Sequence, residues 1–209
     1  MDYTHCFKYP STPVLPNSPG SRGNDEFDTS LFEGKEVVIL EKLDGENANL
    51  LRDHYYARSI DGRHHPSRDW LKAFHATFKH DIPEGWRFSG ENMFAFHSIY
   101  YVNLESYFYL FAIWNEKNES LSWDSVLEWA ELLGLVTPKQ FYRGVWDEEI
   151  VRNIKFNPKD CEGYVVRTVE GFAFNEFTQH IAKYVRENHV NTSEHWMFQD
   201  IKMNKLRSK

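Results

Sequence analysis

From residue 36 the chain reads EVVILEKL, a β-branched and apolar run that breaks at Asp44-Gly45 and resumes as NANLLRD. That pattern predicts strands at 36–43 and 47–52, joined antiparallel through an Asp-Gly hairpin turn with Lys42 near its tip. A further strand is expected at 54–58. In PSRDWLKAFHATFKH the apolar residues Trp70, Leu71, Phe74 and Phe78 recur at helical spacing, with Ser67 or Asp69 as the cap. WRFSGENMFAF reads as a strand and SYFYLFAIW as a buried one. SWDSVLEWAELLG predicts a second helix, capped by Ser122 and stopped by Gly134. PKQFYRGV is extended, WDEEIVRNI is a short helix, CEGYVVRTVEGFAFN is a hairpin and HIAKYVR is a further strand. The tail from about 192 to 206 reads as a helix turning Trp196, Met197, Ile201 and Met203 or Leu206 inward. Residues 9 to 24, rich in Pro, Ser and Gly, form an arm without regular structure. Many antiparallel strands with interspersed helices imply an α+β fold.

Composition narrows the function. A chain of 209 residues with 16% aromatics can bury a real core. Its net charge of −7 argues against bulk electrostatic binding of nucleic acid, so any phosphate binding needs a local basic patch. The tail beyond Lys183 holds more Lys and Arg than acids, which suits phosphate contact and equally a solvated helix face. Two cysteines, Cys6 and Cys161, make neither a disulfide framework nor a zinc cluster, and Cys161 is expected to be a buried thiol. The N-terminus lacks the order of a secretory signal and no apolar run reaches membrane-spanning length. The expectation is a cytoplasmic protein without a membrane.

Familiar phosphate cradles are missing: there is no G-x-x-x-x-G-K-[ST] loop and no G-x-G-x-x-G string. His64-His65 lacks metal-ligand spacing to a third ligand, and His189 and His195 do not share a helical face. What remains is an ordered set of charged and aromatic residues. Lys42 stands in K-x-D-G. Arg58 follows in YYARSIDGR, Glu91 in FSGENMF, Phe111 in the aromatic strand, Glu162 in EGYVVR, and Lys183 in IAKYVREN. Taken singly, each has an ordinary reading: the two Glu as solvated strand ends, Phe111 as core, Lys183 as a snorkelling strand lysine, Arg58 as a surface arginine.

Together these motifs, in this order and from about Tyr9 to Trp196, resemble the covalent nucleotidyltransferases (RNA ligases, DNA ligases and mRNA capping enzymes) and most closely the RNA ligase family. The arm KYPSTPVLPNSPGSR also looks like the segment that precedes the nucleophile in that family. The resemblance implies one nucleotidyltransferase domain over 1–209, with an N-terminal arm at 1–35 and a C-terminal helix at 192–209. Its two mostly antiparallel sheets, with helices outside, would hold the nucleotide between them. With so short a stretch after Lys183, no OB-fold domain is expected.

By the same resemblance Lys42 attacks the α-phosphate of ATP and Lys183 assists, while Asn47 serves strand joining, its alternative being a turn cap. Glu41, Arg58, Glu91, Phe111 and Glu162 join the two lysines in nucleotide binding, and Glu162 holds Mg²⁺ or Mn²⁺. The chemistry suits these residue types. An amine attacks only when neutral, so a lysine with an ordinary pKa of about 10.4 needs cationic neighbours or a metal to lower it. Lys183 and the metal ion are the expected sources of that field. Carboxylate oxygens suit Mg²⁺, and a purine needs an aromatic surface. One position departs from the pattern: where the last motif usually carries a second lysine, this chain has Val185. The expected partners are ATP and the 5′-phosphate and 3′-OH ends of RNA, with room for a protein that recognises the ends. The alternatives are a GTP-using capping guanylyltransferase, a minimal DNA ligase, or a nucleotide-binding module without catalysis.

Overall fold

The computed structural model describes residues 5–20, 25–58, 60, 65–187 and 201–208. In chain order its strands are β1 (Glu36–Lys42), β2 (Glu46–Leu50), β3 (Tyr55–Ala57), β4 (Arg87–Asn92), β5 (Phe108–Trp114), β6 (Glu119–Ser120), β7 (Gln140–Val145), β8 (Gly163–Thr168), β9 (Phe172–Ala173) and β10 (Ile181–Val185). The helices are α1 (Asp69–Ala76), α2 (Trp123–Leu133), α3 (Glu148–Arg152) and α4 (Phe177–His180). Among the described residues the strands form two antiparallel sheets. One runs β10-β8-β1-β7 and the other β3-β2-β4-β5-β6-β9.

β1 is buried on both faces, which explains its unbroken apolar run. Val37 and Ile39 pack with Phe27, Phe32, Tyr164 and Val166 on the outer side of the first sheet. Val38 and Leu40 join a larger core in which β2, β4 and β5 pack against α1 and α2 through Leu50, Phe88, Leu110, Leu71, Trp123 and Val126. The caps of α2 follow the sequence: Ser122 accepts from Ser125 N–H, and Gly134 closes the helix in the left-handed region at φ 63°. The cap of α1 does not. His65, not Ser67 or Asp69, caps a 3₁₀ turn at Pro66–Arg68 from which α1 grows.

Two expected hairpins are absent. β1 and β2 do not pair with each other; they belong to different sheets, and Leu43–Gly45 is the passage between them. The Asp-Gly turn signal is overridden by tertiary bonds, because Asp44 accepts from Ser98 and Ile99 instead of closing a local turn. Gly45 is required by close approach: a Cβ there would lie 2.6 Å from Asn92 O and 2.7 Å from Met93 Sδ. Likewise β8 and β9 lie in different sheets, β9 pairing with β6.

The predicted C-terminal helix is also corrected in part. Residues 192–200, with Trp196 and Met197, lie outside the described residues, as do His64, His189 and His195. The described stretch 201–208 is extended, bridging Ala95 at Met203 and Leu104 at Leu206. Met203 and Leu206 are exposed, and the buried residue is Asn204. A polar side chain with a full set of loop partners, and not an apolar helix face, anchors this segment. No helix among the described residues is long and apolar enough to cross a membrane.

Candidate active site

Lys42 ends β1 where the chain leaves the first sheet for the second, so its side chain enters the cleft between them. Across the ladder it faces Gly163, and Glu162 N–H donates to Lys42 O at 3.2 Å. Gly163 permits this register, since a Cβ there would sit 1.9 Å from Tyr184 O on β10. The Glu162 carboxylate is thereby set beside Lys42 Nζ, and the two form an ion pair. Glu91, on β4, approaches from the second sheet and accepts from Gly45 N–H at 3.1 Å.

These carboxylates decide the resting charge of Lys42. Burial by itself would lower its pKa, but Glu162, Glu91 and Asp44 outweigh it and the net direction is upward. Glu162 pairs with Lys42 here, and the field expected to free the amine, from Lys183 and a metal ion, has these carboxylates to overcome. Burial pushes the Glu91 carboxyl up to about 8, with repulsion from Glu162 adding to it and Lys42 opposing. Lys183 goes the other way, lowered by burial and by the charge of Lys42.

On the opposite wall β5 carries a bulge. Ser89 pairs with Ala112 and Gly90 with Leu110, which leaves Phe111 as the extra residue. Leu110 and Ile113 consequently share one core, while Phe111 turns to the cleft as the one residue of β5 that is not fully buried. Its ring meets Tyr9 edge-on at 5.4 Å.

The remaining expected residues converge on the same space. Lys183 pairs with Val165 in the middle of β10 and lines the cleft. Arg58, just beyond β3, stands at the mouth and ties down the arm through Tyr9 O and Ser11 Oγ. Asn47 lies in β2 directly opposite Glu91 and accepts from Asn49 Nδ2 at 2.9 Å, so it is a strand residue and not a turn cap. Glu41 lines the cleft beside Pro138; burial raises its carboxyl, with Lys139 opposing. Val185 shares the face of Lys183 by strand alternation and is buried opposite Gly163. The Cys161 thiol is buried, pushed up to about 12 by burial, and bonded to Gly163 O.

Contributors to the cleft that were not singled out from sequence include Tyr9, Glu46, Arg68, His97 and Arg167. Arg68 makes a two-pronged ion pair with Glu46 next to Asn47. Arg167 donates to Phe111 O at 3.2 Å and to Leu121 O at 2.9 Å, so a buried cation of β8 pins the bulge of β5 and ties the two sheets at the cleft floor. Burial lowers its pKa to about 10.

The cleft encloses about 820 Å³, room enough for a nucleotide. Among the described residues no group of three or more His, Cys, Asp or Glu could hold a metal unaided. Glu162 beside Lys42 instead offers one carboxylate, and Mg²⁺ is commonly held by one or two carboxylates when phosphates and water complete its shell.

Comparison with known proteins is consistent with this geometry. A family model described as RNA ligase matches residues 35–185. No curated protein matches the chain. A Naegleria gruberi RNA ligase solved with ATP and Mn is 15% identical, covers 86% of this chain and 63% of its own, and superposes with a TM-score of 0.53. An Aquifex aeolicus protein described as an ATP-dependent DNA ligase is 20% identical, with 86% and 50% coverage and a TM-score of 0.57. An archaeal ATP-dependent RNA ligase is 13% identical, with 85% and 48% coverage and a TM-score of 0.56. At these identities the likeness is one of fold, and the chain spans between about half and 63% of these proteins.

Proposed function

Because the chain belongs to the RNA ligase family, we propose that it joins the 5′-phosphate and 3′-OH ends of RNA through a covalent Lys42-AMP intermediate formed from ATP. The reading rests on one observation: Lys42, Glu91, Phe111 and Lys183 line a single cleft, with Glu162 bonded to the lysine. Lys42 Nζ, once it has lost its proton to water, attacks the α-phosphorus. The N–P bond forms, the bond to the β-phosphate oxygen breaks, and pyrophosphate leaves. AMP then passes to the oxygen of an RNA 5′-phosphate, and the 3′-OH displaces it to seal the strand.

The residues divide this work. Phe111 stacks on the base, against the wall that Arg167 holds. Lys183, whose ammonium is destabilised by burial and by Lys42, gains most from a phosphate placed between them. Arg58 adds a second cation at the mouth and couples nucleotide binding to the arm. Glu91 serves the ribose, and its raised pKa keeps a proton on it below about 8, so it can donate a hydrogen bond to a hydroxyl. Asn47 serves the strand-joining steps. Glu162 would hold a divalent cation. When bound, that ion supplies positive charge that favours the neutral amine and the leaving pyrophosphate. Neighbouring structures solved with ATP and Mn, or with AMP and Mn, support both ligands.

The test uses protein adenylated beforehand, so that ATP binding plays no part. Two nicked duplexes differ only in the two sugars at the 3′-OH end, ribose in one and deoxyribose in the other. Sealing of the ribose end and poor sealing of the deoxy end is expected, since the 2′-OH alone distinguishes them. Equal sealing would make the protein a minimal DNA ligase. Sealing of neither would mean that a partner or a different AMP acceptor is needed.

A further inference from the structure

Asp44, two residues beyond Lys42, is held entirely from outside the two sheets' ladders. Its Oδ2 accepts from Ser98 N–H and Ser98 Oγ at 2.7 Å and from Ile99 N–H at 2.9 Å. Its own N–H donates to Tyr101 Oη at 3.1 Å. Leu43 is buried in the same neighbourhood, against Met93, Ile99, Tyr101 and Leu104. The position of the passage that carries Lys42 therefore depends on where the loop 93–107 sits.

That loop, in turn, is held by the extended tail. Asn204, 1% exposed, donates through Nδ2 to Met93 O at 2.8 Å and to Ala95 O at 3.2 Å. Its Oδ1 accepts from Tyr101 N–H at 3.0 Å, its carbonyl from Tyr107 Oη at 2.9 Å, and its N–H donates to Phe94 O at 3.0 Å. On either side Phe96 N–H donates to Lys202 O, Lys205 N–H to Tyr101 O and Leu104 N–H to Lys205 O. The Lys202 ammonium sits 4.2 Å from the Tyr100 ring centre. Tyr101 is the junction: its backbone is bonded to the tail and its phenol to the nucleophile passage.

We infer that the segment 201–208 is a positioning strap for Lys42, acting through Asn204, Tyr101 and Asp44, and that it sets the rate of nucleotidyl transfer to Lys42 more than the affinity for nucleotide. The inference rests on the nucleotidyl-transfer reading above. Its physical basis is that an attacking amine misplaced by a fraction of an ångström loses rate steeply. Among the described residues, the contacts of 201–208 go to the loop 93–107, while the base-binding half of the cleft is built on Phe111, Tyr9 and Arg167.

The test compares the parent with Asn204→Ala, Tyr101→Phe and the double variant in single-turnover formation of the AMP adduct. Tyr101→Phe keeps the ring in its apolar cluster and removes only the hydroxyl that meets Asp44. Melting temperature and far-UV circular dichroism give the folded fraction, and rates are expressed per folded molecule. Each single variant is expected to slow adduct formation at saturating ATP by about tenfold to a hundredfold, with the half-saturating ATP concentration little changed. The double variant should be about as slow as the slower single one, because both cut one chain of contacts. Parental rates in both single variants, losses that multiply in the double variant, or a raised ATP requirement with an unchanged maximal rate would overturn the strap. A parent protein that forms no adduct would overturn the nucleotidyl-transfer reading beneath it.

Discussion

Replacing Glu91 with Gln should make the protein more stable at alkaline pH and change the shape of its pH–stability curve. Glu91 reaches into the cleft beside Lys42 and Glu162, where burial and the Glu162 charge lift its pKa from 4.5 to about 8. Between those values the native protein holds a proton that the unfolded chain has released. Stability therefore falls as pH rises through that window and levels off above about 8. At about 1.4 kcal/mol per pKa unit the ceiling on this loss is about 5 kcal/mol. The carboxyl lies in a cleft open to water, and solvent screening reduces the expectation to roughly 2–3 kcal/mol. Gln retains an acceptor for Gly45 N–H and does not titrate. Urea denaturation of both proteins from about pH 4 to 9, with equal m-values, gives the difference directly. His75 and His180, lowered by burial, and Glu41, raised by it, titrate alike in both proteins and cancel. The gap in favour of Gln should be smallest at pH 4.5 and widest above pH 8. Curves that stay parallel across that range would refute the reasoning, and so would a gap that narrows as pH rises.

Two further outcomes are expected. Phe111→Leu should raise the ATP concentration needed for half-maximal adduct formation by about fivefold to a hundredfold, the equivalent of about 1–3 kcal/mol of base stacking, while thermal melting moves little because the ring is only part-buried; an unchanged ATP requirement with a large drop in melting temperature would make Phe111 plain core. Lys42→Arg should fold normally and form no adduct, since a guanidinium stays protonated and is no nucleophile; circular dichroism and intact mass check the two halves of that statement.

The convergence of the expected residues on one cleft was legible because they are distinct residue types in a fixed order along strands. Lys42, Glu91, Phe111 and Lys183 all reach one cleft, and Glu162 closes on Lys42. What was misread was misread for physical reasons. Asp44-Gly45 has the local signature of a hairpin, but the bonds that settle its geometry come from Ser98, Ile99 and Tyr101, more than fifty residues away. Arg68 and Arg167 are ordinary arginines until Glu46 and the carbonyl of Phe111 are seen beside them. In the tail, apolar spacing suggested a helix, whereas Asn204 binds the loop with every polar group it has.

The claim that everything else leans on is that Lys42 is the nucleophile. Intact-protein mass spectrometry after incubation with ATP and Mg²⁺ or Mn²⁺, followed by peptide mapping, tests it most directly. A single added AMP is expected on the peptide containing Lys42, dependent on the metal and absent in Lys42→Ala. An adduct on another residue, or full adenylation of Lys42→Ala, would contradict it.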